Sequence, residues 1–162
     1  MSKKKVRIIN GVNNNFYGIR DKAKYGVVMY KDLEKMWIEF GQGIGLDVEV
    51  YQSNIEGEIV DYMQKCYNEG VDGIILNPAA FTHYSYAIYD AIRSINHQVP
   101  VIEIHMDNIY RMDREHCRWT SVTVPACVGM ILGFGPKSYC LALEAFKMRF
   151  DEEEKNGPAK AE

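Results

Sequence analysis

Apolar positions along the 162-residue chain follow two patterns in alternation. The first marks strands: residues 6–9 form a short apolar run ending in Asn10-Gly11, and residues 47–51, 73–76, 101–104 and 121–124 are four further strand candidates. The second has the helical period: Leu33, Met36, Trp37, Phe40 and Ile44 fall on one face. Ser53-Asn54-Ile55-Glu56 has the form of a capping box ahead of Ile59, Met63 and Cys66, so a second helix starts there. A third covers residues 84–95, and Tyr139, Leu143, Phe146 and Phe150 give a last one its buried stripe.

Strands separated by helices imply crossover connections and a parallel sheet covered on both faces. Five strands in this arrangement predict an α/β protein with a flavodoxin-like strand order, and in such folds ligands sit beyond the carboxyl ends of the strands. The chain length fits one domain, residues 1–150. Asp151 and the three glutamates after it lead into Lys155, Gly157 and Pro158 without an apolar period, which reads as a disordered acidic tail over residues 151–162.

Composition narrows the class. Hydrophobic residues make up 47% and charged residues 25%, too apolar for a disordered chain. A net charge of -3 argues against broad nucleic-acid binding, and Lys3, Lys4 and Lys5 are a short solvated run. No segment reaches the roughly 18 apolar residues of a membrane span, and no signal-like segment precedes the first strand, so a cytoplasmic protein is expected. The four cysteines form no CxxC pair, which disfavours zinc and a disulfide framework. Cys66, Cys127 and Cys140 read as core residues, and Cys117 beside His116 is a weak candidate nucleophile.

Polar residues gather where the strands end: Asn10 and Asn13, Gln52 to Asn54, Asn77 to His83, and His105 to Asn108. Tyr25 has Arg20 and Lys24 as near neighbours, and positive charge favours phenolate, a competent general base. The same spacing also suits solvated charges and a tyrosine packed at the Gly26 turn. His105 can emerge from its strand as a proton donor or serve as a hydrogen-bonded strand end. Asn13 can hold a water or an oxyanion, or simply make a turn. Thr82 and His83 can grip substrate hydroxyls or cap a helix. Gly41, Gly43 and Gly45 precede a strand, whereas a dinucleotide fingerprint follows one, so a Rossmann site is rejected. Gly129, Gly133 and Gly135 read as turn residues after the fifth strand.

Taken in order, several segments resemble type II 3-dehydroquinate dehydratase. These are Ile9-Asn10-Gly11-Val12-Asn13-Asn14-Asn15-Phe16-Tyr17-Gly18-Ile19-Arg20, Tyr25-Gly26, Gln52-Ser53-Asn54-Ile55-Glu56-Gly57-Glu58, Asn77-Pro78-Ala79-Ala80-Phe81-Thr82-His83, Glu103-Ile104-His105 and Asn108-Ile109. The resemblance runs from about Val6 to Phe146. It implies a flavodoxin-like fold, a dodecamer built from trimers, and dehydration of 3-dehydroquinate to 3-dehydroshikimate without metal or organic cofactor. It implies Tyr25 as the base, Arg20 as the cation that keeps it ionised, and Asn13 as holder of an enolate-stabilising water. His105 protonates the departing hydroxyl, oriented by Glu103. Asn77 and His83 bind ring hydroxyls, Asp90 reaches a neighbouring subunit's site, and the backbone at Met106 and Asp107 meets the substrate carboxylate. A further substrate-gripping arginine maps to Arg118, with Arg111 and Arg114 as alternatives.

The chain departs from the family pattern at Val12 and Lys22, where prolines are usual, and at Ile55, where histidine is common. Asp107 stands at the position of a serine, and a carboxylate there repels a substrate carboxylate by ~1 kcal/mol at ~4 Å in water, and by more in a drier site. Two other readings therefore stand beside the dehydratase: a related lyase acting on a cyclic hydroxyketone without a carboxylate, and a non-catalytic metabolite-binding paralogue.

Overall fold

The computed structural model describes residues 2–111 and 118–157. Five parallel strands, β1 (Lys5–Asn10), β2 (Asp47–Gln52), β3 (Gly73–Asn77), β4 (Val101–His105) and β5 (Gly129–Leu132), form one sheet in the order β2-β1-β3-β4-β5. This is the expected flavodoxin-like order. β3 lies at its centre, and β1 beside it pairs Ile8 with Val50 on one side and with Ile75 on the other.

Alternation along β1 sends Val6 and Ile8 to one face and Ile9 to the other. The first face carries α2 (Tyr30–Gly43) and α5 (Lys137–Asn156), packed through Leu33, Trp37, Tyr139, Leu143 and Phe146. The second carries α3 (Glu56–Asn68) and α4 (Tyr86–Ile95), packed through Ile59, Met63, Ile88 and Ile92. Trp37 ties the first layer together: its indole stacks on Tyr139 at 3.8 Å between centroids and donates to the Pro136 carbonyl at 3.1 Å. Arg7 is buried among apolar neighbours, and its charge is met at the sheet edge by Asp47 and Glu49, at 3.5 and 3.3 Å.

Four expectations need correction. The fifth strand is residues 129–132, so Gly129 begins it; the 121–124 segment, β-branched in composition, instead turns Ser121 and Thr123 inward and enters a 3-10 turn at Val124–Ala126 containing Pro125. Residues 151–156 continue α5, supported by i,i+4 pairs of Lys147 with Asp151 and Arg149 with Glu153. Ser53 does not form the expected box with Glu56: it accepts from the Ile55 N–H at 2.9 Å and donates to Glu58 at 2.5 Å. Cys127 and Cys140 are half-buried, unlike Cys66. Cys117 and His116 lie outside the described residues.

The loops after β1 and β3 touch at Gly11. Its N–H donates to the Asn77 carbonyl at 2.8 Å, and a Cβ on Gly11 would stand 2.4 Å from the Pro78 oxygen. Only glycine permits that approach without a backbone shift. Gly11→Ala should lower stability by ~1–3 kcal/mol, read as a shifted urea midpoint at unchanged slope.

Candidate active site

At the carboxyl edge of the sheet a cleft of about 570 Å³, open mouth included, is lined by Asn13, Tyr17, Arg20, Tyr25, Asn77, His83, His105, Met106, Asp107 and Arg118, among others. The structure thus brings nine of the eleven expected site residues to one cavity. The other two stand apart from the lining: Glu103 lies buried behind His105, and Asp90 is exposed on α4. Arg111 reaches Asp107 at 3.9 Å, and Arg114 lies outside the described residues.

Tyr25 ends α1 (Lys22–Tyr25), a single helical turn closed by Gly26 at a left-handed φ of 82°. The Tyr25 ring packs on Tyr17 at 5.4 Å between centroids, with the Arg20 guanidinium 5.1 Å and the Lys24 ammonium 5.5 Å from its centre. Two cations therefore stand beside the phenol. Asn13 adopts φ 63°, a conformation asparagine tolerates, and its N–H donates to the Asn54 side chain at 2.8 Å.

Glu103 is completely buried and accepts four hydrogen bonds: from Thr82, Ser121 and His105 Nε2 on one oxygen (2.7, 2.8 and 2.7 Å) and from Thr123 on the other (2.6 Å). Burial pushes this carboxyl up, but the hydrogen bond and charge of His105 with the hydroxyl donors outweigh it and hold it below the ordinary range. An ionised Glu103 fixes the hydrogen on Nε2 of His105, leaving Nδ1 as the nitrogen for proton exchange. Thr82 is fully buried in this cluster, so it is a donor to Glu103 rather than the substrate grip or helix cap that the sequence allows. His83 donates through Nδ1 to the Thr120 carbonyl at 2.7 Å, which leaves Nε2 as its acceptor.

A second buried cluster underlies the cleft floor. Asn77 donates to the hydroxyls of Tyr17 (3.2 Å) and Tyr139 (2.7 Å), while its oxygen accepts from the Ala79 N–H at 3.2 Å. Both amide hydrogens are engaged, so toward a ligand Asn77 can only accept. Tyr139 and Asn14 donate to the Asn10 side-chain oxygen, Asn10 donates to Tyr30, and Tyr17 donates to Asn14. Burial pushes the Tyr17, Tyr30 and Tyr139 hydroxyls well above their ordinary value, keeping them neutral donors. Sequence reasoning missed Tyr17, Tyr139 and the Ser121–Thr123 pair as parts of the site. Tyr139 in particular sits in an apolar stripe 129 residues from its partner Asn10.

Asp107, half-buried at the cleft rim, forms an ion pair with Lys24 at 2.9 Å. Among the described residues no group of three His, Cys, Asp or Glu side chains is placed to hold a metal, and no helix is long and apolar enough to cross a membrane.

A flavodoxin-like sheet whose carboxyl edge holds a phenol among cations and a carboxylate-held imidazole defines an α/β protein built for proton transfer on a small polar ligand. Residues 4–147 match the model of the dehydroquinase class II family. The chain is 53% identical over 143 residues to the 3-dehydroquinate dehydratase of Clostridium acetobutylicum, covering 88% of this chain and 96% of that protein. With the enzyme of the same name from Caldicellulosiruptor bescii it shares 52% identity over 148 residues, 91% and 99% of the two chains. The crystal structure of a type II dehydroquinase from Butyrivibrio crossotus superposes with a TM-score of 0.86 at 45% identity, covering 90% of this chain and 99% of that one. The chain belongs to the dehydroquinase class II family.

Because folding holds Glu103 ionised below its ordinary range near 4.5, it contributes stability that is present above that value and lost as pH falls through the depressed one. Thr123→Val removes a donor from the buried carboxylate and should cost ~1–3 kcal/mol at pH 7. Urea unfolding across the acid range should show the gap from wild type narrowing as pH falls below the carboxylate range.

Proposed function

We infer that the chain works as a type II 3-dehydroquinate dehydratase, eliminating water from 3-dehydroquinate to give 3-dehydroshikimate. The observation that carries this reading is the convergence of Tyr25, flanked by Arg20 and Lys24, and His105, held by Glu103, on a single cleft in a member of this family.

Tyr25, as phenolate, removes the proton from C2, and its electron pair moves into the ring to form an enolate. Arg20 stabilises the phenolate. Asn13 holds the water that hydrogen-bonds the enolate oxygen. Collapse of the enolate breaks the C–O bond, and His105, entering the step as the imidazolium with a second hydrogen on Nδ1, delivers that hydrogen to the departing hydroxyl, so that water leaves and a conjugated enone remains. Glu103 keeps the ring in the orientation this step requires, and by holding the Nε2 hydrogen it makes Nδ1 the nitrogen that gives up the proton. The side-chain oxygen of Asn77 and the ring of His83, both on the cleft wall, suit ring hydroxyls, while the Met106 and Asp107 backbone and the Arg118 guanidinium suit the substrate carboxylate. Arg118 joins Arg20 among the lining cations, and the one carboxylate of the lining, Asp107, is balanced by Lys24 and Arg111. That balance removes the electrostatic ground for a substrate without a carboxylate.

The protein acts as a trimer-based dodecamer in the cytoplasm. Exposed Tyr86 precedes exposed Asp90 by one turn of α4, and Tyr84 and Val128 are also more than half exposed. An apolar surface of this kind suits a subunit contact through which Asp90 reaches the neighbouring site. Solution mass measurement should give twelve times the subunit mass.

Turnover is read as the rise in ultraviolet absorbance of the enone. Tyr25→Phe should lower kcat by ~100-fold or more, with wild-type stability retained. No turnover by the wild type, or full activity in Tyr25→Phe, overturns this reading.

A further inference from the structure

α1 is four residues long, and none of them is buried. A single turn of helix does not hold itself in water, yet this one carries Tyr25. Besides the Tyr17 contact, it is joined to the sheet edge by Lys24, whose ammonium stands 2.9 Å from one Asp107 oxygen, with Arg111 at 3.9 Å from the other. Asp107 comes two residues after His105, and its side chain is 15% exposed. It therefore brings a partly desolvated negative charge to the rim of a cleft otherwise lined by cations and neutral groups.

We propose that the Lys24–Asp107 pair is a specificity and positioning device: Lys24 cancels the charge that would repel an anionic substrate, and the same contact fastens the Tyr25 turn across the cleft. Rigid attachment of α1 and acceptance of a carboxylate are thereby coupled, since one ammonium serves both. Lys24 is a positioning residue here, acting through Asp107 and Tyr25. The substrate half of this proposal rests on the dehydratase reading; the attachment half does not.

The test compares Lys24→Ala, Asp107→Ser, the double variant and Lys24→Arg, all in the full chain. Lys24→Ala should raise KM for 3-dehydroquinate by about tenfold and, by loosening the turn that carries Tyr25, also lower kcat; the double variant should return KM to within about threefold of wild type with kcat still low, and Lys24→Arg should remain near wild type. A merely structural role would not let a second lesion repair KM. Hydrogen exchange follows the attachment without any substrate: the Tyr25 and Gly26 N–H groups, bonded to the Asp21 and Lys22 carbonyls, should exchange about tenfold faster in Lys24→Ala and equally fast in the double variant. The proposal is overturned if KM in the double variant stays as high as in Lys24→Ala, or if exchange at Tyr25 and Gly26 is unchanged in Lys24→Ala. A wild type that turns over nothing overturns the functional reading, while the exchange measurement still decides the attachment.

Discussion

A carboxylate sealed from water is tolerable only when other groups replace the solvent, and Glu103 imposes that condition on the whole ligand edge of this protein. Its four donors come from three separate stretches: Thr82 after β3, His105 at the end of β4, and Ser121 with Thr123 in the segment ahead of β5. Each stretch must arrive in place for the charge to be satisfied. One buried group thus sets where the turn after β3 lies, which nitrogen of His105 carries hydrogen, and why the 121–124 segment cannot join the sheet.

The amide and phenol cluster beneath the cleft is the uncharged counterpart of that arrangement. Asn10, Asn14 and Asn77 supply amides from β1, the turn after it and β3, and Tyr139 supplies a hydroxyl from α5. The cluster couples the α2–α5 layer to the cleft floor, because the ring of Tyr139 is stacked on Trp37 while its hydroxyl reaches two asparagines. Packing and recognition share the same side chain. A ligand bound against Asn77 therefore meets a rigid acceptor whose hydrogens already face inward.

The sheet was largely legible in the sequence because β1, β3 and β4 are buried on both faces and so appear as apolar runs, interrupted only by Arg7 in β1 and Glu103 in β4. β5 was not: it opens on a glycine and is flanked by others, while the preceding Ser-Val-Thr-Val has the stronger β composition. The acidic run after Phe150 looked like a tail because its support is i,i+4 pairing rather than an apolar stripe. Of the site, residues at strand ends could be placed from topology, as His105 and Asn77 were. Tyr139 could not, since its apolar neighbours conceal a hydroxyl directed at the far side of the domain. Asp107 read as a conflict of charges because its balancing ammonium comes from an element 83 residues earlier, a proximity that only folding creates.

The junction of Asn10 with Gly11 has a further meaning for the lifetime of the protein. Asparagine followed by glycine is the pair most prone to spontaneous deamidation, which begins when the next backbone nitrogen attacks the side-chain carbonyl. Here that nitrogen donates to the Asn77 carbonyl, while the Asn10 amide is held by Tyr139, Asn14 and Tyr30. The side chain cannot swing into the five-membered ring that the reaction needs. The contacts that shape the cleft floor thus also guard its most perishable bond against chemical ageing.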